Sequence, residues 1–298
     1  MIDASDFTSV NSGKASFDDV YNRPDPRGFF RVFEKLDYSI PDRACPVFRR
    51  LIEARRNDPE EQVRILDLGC SYGVNAAELK CGLTVDELAR HYRRASLEGV
   101  TPEDLLRIDR EFFQEQQLDP NLVVLGLDVA DAAVRYGEEV GLLDRGLVAN
   151  LEAGQAPPAV AEAIRESDMV ISTGCVGYVG EGTFAAIADA ADETPWVASF
   201  VLRMFPYDAI AETLAGHGLE TEKLEGVTFR QRRFYDDEEA EHVRKTLAAR
   251  GIDFDEHEAD GWYHAELYVS RPPELVTAEP LDQLLAPIAL LQPRLETA

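Results

Sequence analysis

The run Val63-Arg64-Ile65-Leu66-Asp67-Leu68-Gly69-Cys70-Ser71-Tyr72-Gly73 decides how this chain folds. An apolar strand ends in an acid and then in a glycine turn, and Val74-Asn75-Ala76-Ala77-Glu78-Leu79 can open a helix. Residues without a Cβ, here Gly69 and Gly73, let backbone lie close against a ligand. In an open α/β sheet the carboxyl ends of the strands are where ligands bind. A dinucleotide fingerprint laid on Gly69 needs a glycine at 71 and a small residue at 74. The chain has Ser71 and Val74 there, which disfavours NAD and FAD.

Outward from this turn, the pattern alternates strands with helices. Residues 1–60 precede the first strand and read as a helical extension, with a turn at Asp25-Pro26, phenylalanines 29, 30 and 33, and an amphipathic helix around 46–54 whose apolar face is Val47, Phe48, Leu51 and Ile52. Strand one is 63–68. Thr84 and Glu87 form a capping box for a helix running to about Arg94, and Pro102 opens another that ends near Gln117. Strand two, 122–128, ends in Asp128, where a carboxylate can accept hydrogen bonds from a ribose diol. Asp128 lies 61 residues beyond Asp67, whereas a plain βαβ unit places its acid about 20 residues on, so the helices of 82–118 are an insertion. A helix through 132–143, closed by Gly146, leads to strand three at 147–151. Strand four is 168–173 and strand five 196–202. A helix at 207–216, a long sixth strand at 219–234, an acidic helix at 236–250 and an alternating last strand at 262–269 complete a domain over 61–271. Residues 272–298 are a proline-punctuated tail with a short apolar stretch at 285–291. The order predicts a doubly wound, mostly parallel α/β sheet with an antiparallel last strand.

The Leu66-to-Gly73 run resembles motif I of class I S-adenosylmethionine (SAM)-dependent methyltransferases, with Ser71 where a middle glycine is usual and Tyr72 where a small residue is common. The resemblance covers about 60–271 and implies that family's Rossmann-like, seven-stranded sheet. It implies SAM as cofactor, held by Asp67, Gly69, Cys70, Ser71 and Gly73, with Asp128 on the ribose and Val129 on the adenine face. Asn150-Leu151-Glu152 follows strand three, where a polar side chain often holds the adenine amino group; Asn150 and Glu152 both qualify. Thr173 opens the loop after strand four, which in the family faces the sulfonium and the acceptor. Tyr178 is a candidate wall there, and Cys175 a candidate nucleophile. His264, Tyr21, Tyr207 and Arg203 are conceivable helpers of the transfer, which is chiefly a positioning reaction.

Composition narrows the acceptor. There are 56 acidic against 30 basic residues, a net charge of −26, which repels phosphate backbones. The D/N-P-P-Y/F run of base-modifying N-methyltransferases is also missing. The expected partner is therefore a small-molecule substrate, not nucleic acid. No run of 18 apolar residues predicts a membrane span, and the acidic N-terminus lacks the apolar core of a secretory signal, so a cytoplasmic protein is expected. Cysteines 45, 70, 81 and 175 and the five histidines have no close metal-binding spacing, so no metal is expected. The reading is methyl transfer to a small molecule. The alternatives are transfer of another group, such as aminopropyl, from a SAM-type nucleotide, or a non-catalytic SAM-binding protein. The aromatic residues of 17–50 and 82–118 are expected to close over the acceptor as a lid or to form a homodimer interface.

Overall fold

Six residues of near-continuous apolar side chains place β1 (Val63–Leu68) where both faces are covered. It pairs in parallel with β2 (Leu122–Asp128) on one side and with β4 (Met169–Thr173) on the other. β2 pairs with β3 (Arg145–Val148), and β4 with β5 (Trp196–Leu202), whose seven residues are all buried. β8 (Trp262–Arg271) runs antiparallel beside β5 and carries β6 (Glu220–Lys223) and β7 (Phe229–Arg233) on its far side. The order is β3-β2-β1-β4-β5-β8-β6, with β7 following β6 along the same edge of β8. This is the doubly wound, mostly parallel sheet of the Rossmann-like methyltransferase fold. The protein is a computed structural model that describes residues 18–288 apart from 57, 59 and 153.

Two helix layers cover the sheet. One contains α3 (Ile40–Arg55), α4 (Val74–Cys81), α6 (Pro102–Gln116) and α7 (Asp131–Glu139), each packed on the next. The other contains α8 (Pro158–Ile164), α9 (Glu181–Ala190) and α10 (Asp208–Gly216). The extension opens with α1 (Asp18–Tyr21) and α2 (Arg27–Lys35). The insertion contains α5 (Val85–Tyr92), whose Thr84–Glu87 capping box is present, then a 3₁₀ turn at Ala95–Leu97, then α6. After α11 (Asp237–Ala249), two short helices, α12 (Pro273–Ala278) and α13 (Leu281–Leu285), occupy the tail. Residues 1–17 and 289–298, including the end of the apolar tail stretch, lie outside the described residues.

Several expected boundaries move. α7 ends at Glu139, not near Gly146, because Gly141 turns left-handed at φ 82°. Gly146 instead lies inside β3, where an added Cβ would fall 2.6 Å from Val134 Cγ1, so that strand starts at 145 and Asn150-Leu151 follow it as a loop. The single sixth strand is two segments, β6 and β7, separated by a turn around Gly226 (φ 73°). The sheet thus has seven positions and eight strands. The amphipathic helix around 46–54 is longer: it starts at Ile40, with a proline in its first turn and Pro46 inside, and all four expected apolar-face residues are buried. Among the described residues no helix is long and apolar enough to cross a membrane.

Candidate functional site

The loop after β1 is built from left-handed backbone. Gly69, Ser71 and Gly73 have φ of 76°, 47° and 82°. A Cβ on Gly69 would come 2.7 Å from Cys175 Cβ, so this loop lies against the loop after β4. Ser71 holds, at some steric cost, the conformation a glycine adopts freely. Its N–H donates to Asp128 Oδ2 at 2.9 Å, and the Ala130 N–H donates to Asp128 Oδ1 at 3.0 Å. One carboxylate therefore holds the turns after β1 and β2 together, and each of its oxygens retains a lone pair. Val129 and Val148, at the carboxyl ends of β2 and β3, expose 65% and 49% of their surface beside it. Apolar side chains held in water next to a carboxylate suit an adenosine, with ribose on the acid and adenine on the valines.

Asp67 lies deeper, with no exposed surface. Asn75 of α4 donates to its Oδ1 at 2.9 Å and also reaches Thr173 Oγ1 at 3.1 Å. Asp67 Oδ2 and Ser71 Oγ are buried without a partner. Burial and the nearby Asp128 charge push the Asp67 carboxyl up to about 7, against the pull of Asn75. A buried carboxylate oxygen and a buried hydroxyl with unused hydrogen-bonding capacity, flanking a glycine turn, fit the amino-acid end of SAM.

The extension closes on this edge at three points. The Tyr72 hydroxyl accepts from the Arg23 N–H at 3.0 Å and lies equally close to the Val20 carbonyl; its ring packs on Phe29 and Tyr136. Asn22 donates to Asp131 Oδ1 at 3.1 Å and accepts from the Ala132 N–H at 2.7 Å, binding the start of α7. Tyr38 packs on Phe33 and lies near Thr173 at the end of β4; burial pushes its hydroxyl well up. The large Tyr72, where the motif favours a small residue, is thus the anchor of the extension. Most of the apolar residues named in both flanking segments are covered within this chain: Phe29, Phe30, Phe33, Leu105 and Phe113 are buried and Phe112 is half-buried, while Tyr21 stays 37% exposed.

The remaining candidates separate. Glu152 Oε2 accepts from the Gly180 and Thr183 N–H groups and the Thr183 hydroxyl, which commits it to the start of α9. Asn150 is exposed and accepts from the Glu152 N–H, and Leu151 is buried. Cys70 is buried, with its sulfur 2.7 Å from where a Cβ on Gly126 would sit. Cys175 lies 2.9 Å from the Ser172 hydroxyl, and burial pushes its thiol up to about 12, so it is no thiolate at neutral pH. Tyr178 is 62% exposed on the same loop. Tyr21 packs its ring on Phe29 and Phe33. His264 has both ring nitrogens engaged, one by the Thr228 hydroxyl at 3.0 Å and one by Asp260, and burial holds its pKa down. Arg203 is locked between Glu256 and Glu258, and Tyr207 is stacked on Tyr268. Asn75 and Tyr38 were not anticipated from sequence. The one signal for Asn75 was an amide in the first turn of the helix after the glycine loop. Tyr38, in a short link between two helices, had none. Among the described residues no group of three or more acids, histidines and cysteines could hold a metal ion.

No family model matches this chain, and no curated protein does. Solved structures to which it is similar include a [4+2]-cyclase, SpnF, at 15% identity over 76% of this chain and 80% of that one, with a TM-score of 0.37. A TehB-like SAM-dependent methyltransferase from Corynebacterium glutamicum matches at 14% identity over 78% and 98%, with a TM-score of 0.36. A SAM-dependent methyltransferase from Aquifex aeolicus matches at 10% over 91% and 99%, with a TM-score of 0.35. The functional reading rests on the chain's own turn, its two acids and its strand order.

Proposed function

We propose that this protein binds SAM across the carboxyl ends of β1 and β2 and transfers its methyl group to a small molecule. One observation carries the reading: Asp128 fastens the left-handed Ser71 turn while exposed Val129 and Val148 flank it. Bound there, SAM supplies a sulfonium-activated methyl for in-line displacement. The chain's own residues bind and orient. Asp128 receives the ribose hydroxyls, Val129 and Val148 contact the adenine, and Asp67 and Ser71 face the amino-acid end. Thr173 and Tyr38 border the place where the acceptor enters. The extension, fixed by Tyr72 and Asn22, keeps water away from the transferring methyl.

The test is calorimetry with SAM. Loss of a charge-assisted hydrogen bond is worth roughly 1.5–3 kcal/mol, so Asp128→Asn should weaken binding about 10- to 100-fold. Unchanged affinity in a folded Asp128→Asn protein rejects the site. Release of S-adenosylhomocysteine with an acceptor supports methyl transfer; release of methylthioadenosine would point to transfer of another group, and binding without turnover of any acceptor to a regulatory protein.

A further inference from the structure

A pocket between the extension and the insertion includes none of the glycine-loop residues in its lining. Between α2 and the end of α5 is a cavity of about 440 Å³. Its wall includes four arginines, Arg27, Arg31, Arg93 and Arg94, in a chain with 30 basic residues against 56 acidic ones. Phe30 and Tyr92, stacked at 4.8 Å, line it from below. The guanidinium groups are not equivalent. Arg27 is held by both oxygens of Asp25 and donates to the Leu97 carbonyl at 3.0 Å, which fixes the wall. Arg93 pairs with Glu34 at 2.9 Å. Arg31 makes no ion pair among the described residues, and neither does Arg94, which lies over the Phe112 ring at 5.6 Å. Glu98 is the one acid of the lining.

We propose that this cavity binds a small polyanion, a molecule carrying phosphate or several carboxylates, through Arg31 and Arg94. A guanidinium presents a planar fork that matches such oxyanions two contacts at a time. At physiological salt a charge is felt over only about 8 Å, so two arginines that line one pocket without an ion pair attract an anion there although the whole molecule repels one. Arg31 belongs to the extension and Arg94 to the insertion, so a ligand held by both fastens these segments to each other. The site stands whether or not SAM binds elsewhere.

Calorimetry of the full chain with inorganic pyrophosphate, and separately with citrate, in 0.15 M salt tests it; 0.15 M is about the physiological ionic strength. One binding event per chain is expected. It should weaken roughly 10-fold or more in Arg31→Glu/Arg94→Glu. It should persist in Arg107→Glu/Arg165→Glu, which changes as many exposed arginines elsewhere. Both pairs are on the surface, and circular dichroism checks that they fold. Binding of pyrophosphate alone assigns a phosphate ligand, and equal binding of citrate a general oxyanion site. No saturable binding of either up to millimolar concentration, or equal loss in the two double variants, overturns the proposal.

Discussion

Asp67 shows how the burial of a single residue couples folding stability to pH. It has no exposed surface, and one of its oxygens has no partner. Burial first, and the Asp128 charge second, raise its pKa from an ordinary carboxylate value to about 7, with Asn75 opposing them. A raised pKa means the folded state holds the proton more tightly than the unfolded one. The associated stability is complete below about pH 4 and is lost as pH rises toward 7. A shift from 3.8 to about 7 corresponds to roughly 4 kcal/mol at 1.36 kcal/mol per unit. Asp67→Asn keeps an oxygen for Asn75 but cannot ionise. Its stability relative to the natural protein should therefore improve by up to about 4 kcal/mol between pH 4 and pH 8. Urea unfolding at those two pH values measures this, and a difference that does not move with pH removes the argument. Ser71 and Tyr72 also depart from the motif, and each departure has a local physical account. Ser71 still reaches the left-handed backbone, and Tyr72 holds the extension.

At the scale of elements, the insertion is tied down from inside. His91 of α5 contacts Asp109 Oδ1 of α6 at 2.7 Å, Tyr136 of α7 donates to Asp109 Oδ2 at 2.6 Å, and the Tyr92 and Tyr136 hydroxyls meet at 2.7 Å. All four residues are buried. Asp109→Ala strands two buried partners at about 1–3 kcal/mol each, so it should cost roughly 2–6 kcal/mol and open 82–118 to limited proteolysis. A loss below about 1 kcal/mol with unchanged cleavage would show that the network does not anchor the insertion. Strands and caps were the legible elements. β1, β2 and β5 have the bounds their apolar runs imply, and the Thr84–Glu87 box starts α5 as its residues dictate. α4 was not legible as a site element. The sequence marks this stretch only as the start of a helix, but extension and insertion bury it on every side, Asn75, Glu78 and Lys80 included. Asn75 then binds Asp67, and Lys80 binds Asp144 at 2.9 Å. The meaning of these polar residues depends on segments far away in the chain, which periodicity does not register. The break between β6 and β7 and the role of Tyr38 were hidden for the same reason.

For the whole molecule, the decisive quantity is the distribution of charge. The buried cations have dedicated partners: Arg203 with Glu258 at 2.6 Å, Arg232 with Glu239 at 2.7 Å, Arg271 with Glu222 at 2.6 Å. These pairs are shielded from salt by burial. What remains at the surface is the acidic excess that makes up the net charge of −26. Two consequences oppose each other when salt is added. Exposed ion pairs such as Arg107–Glu111 and Arg135–Asp131 weaken, but each contributes only about 0.3–0.5 kcal/mol at most. Mutual repulsion among the excess carboxylates weakens as well, and it acts over the entire surface. Repulsion should win, so raising sodium chloride from low millimolar to 0.5 M should stabilise the protein by about 1 kcal/mol or more, a rise of roughly 2–4 °C in Tm. The same excess repels the backbone of DNA or RNA, so anisotropy at physiological salt should detect no submicromolar binding of either. A Tm that falls steadily with added salt would mean that the exposed pairs outweigh the repulsion. In that case the acidity stabilises the fold directly, and the argument against a nucleic-acid partner loses its electrostatic basis.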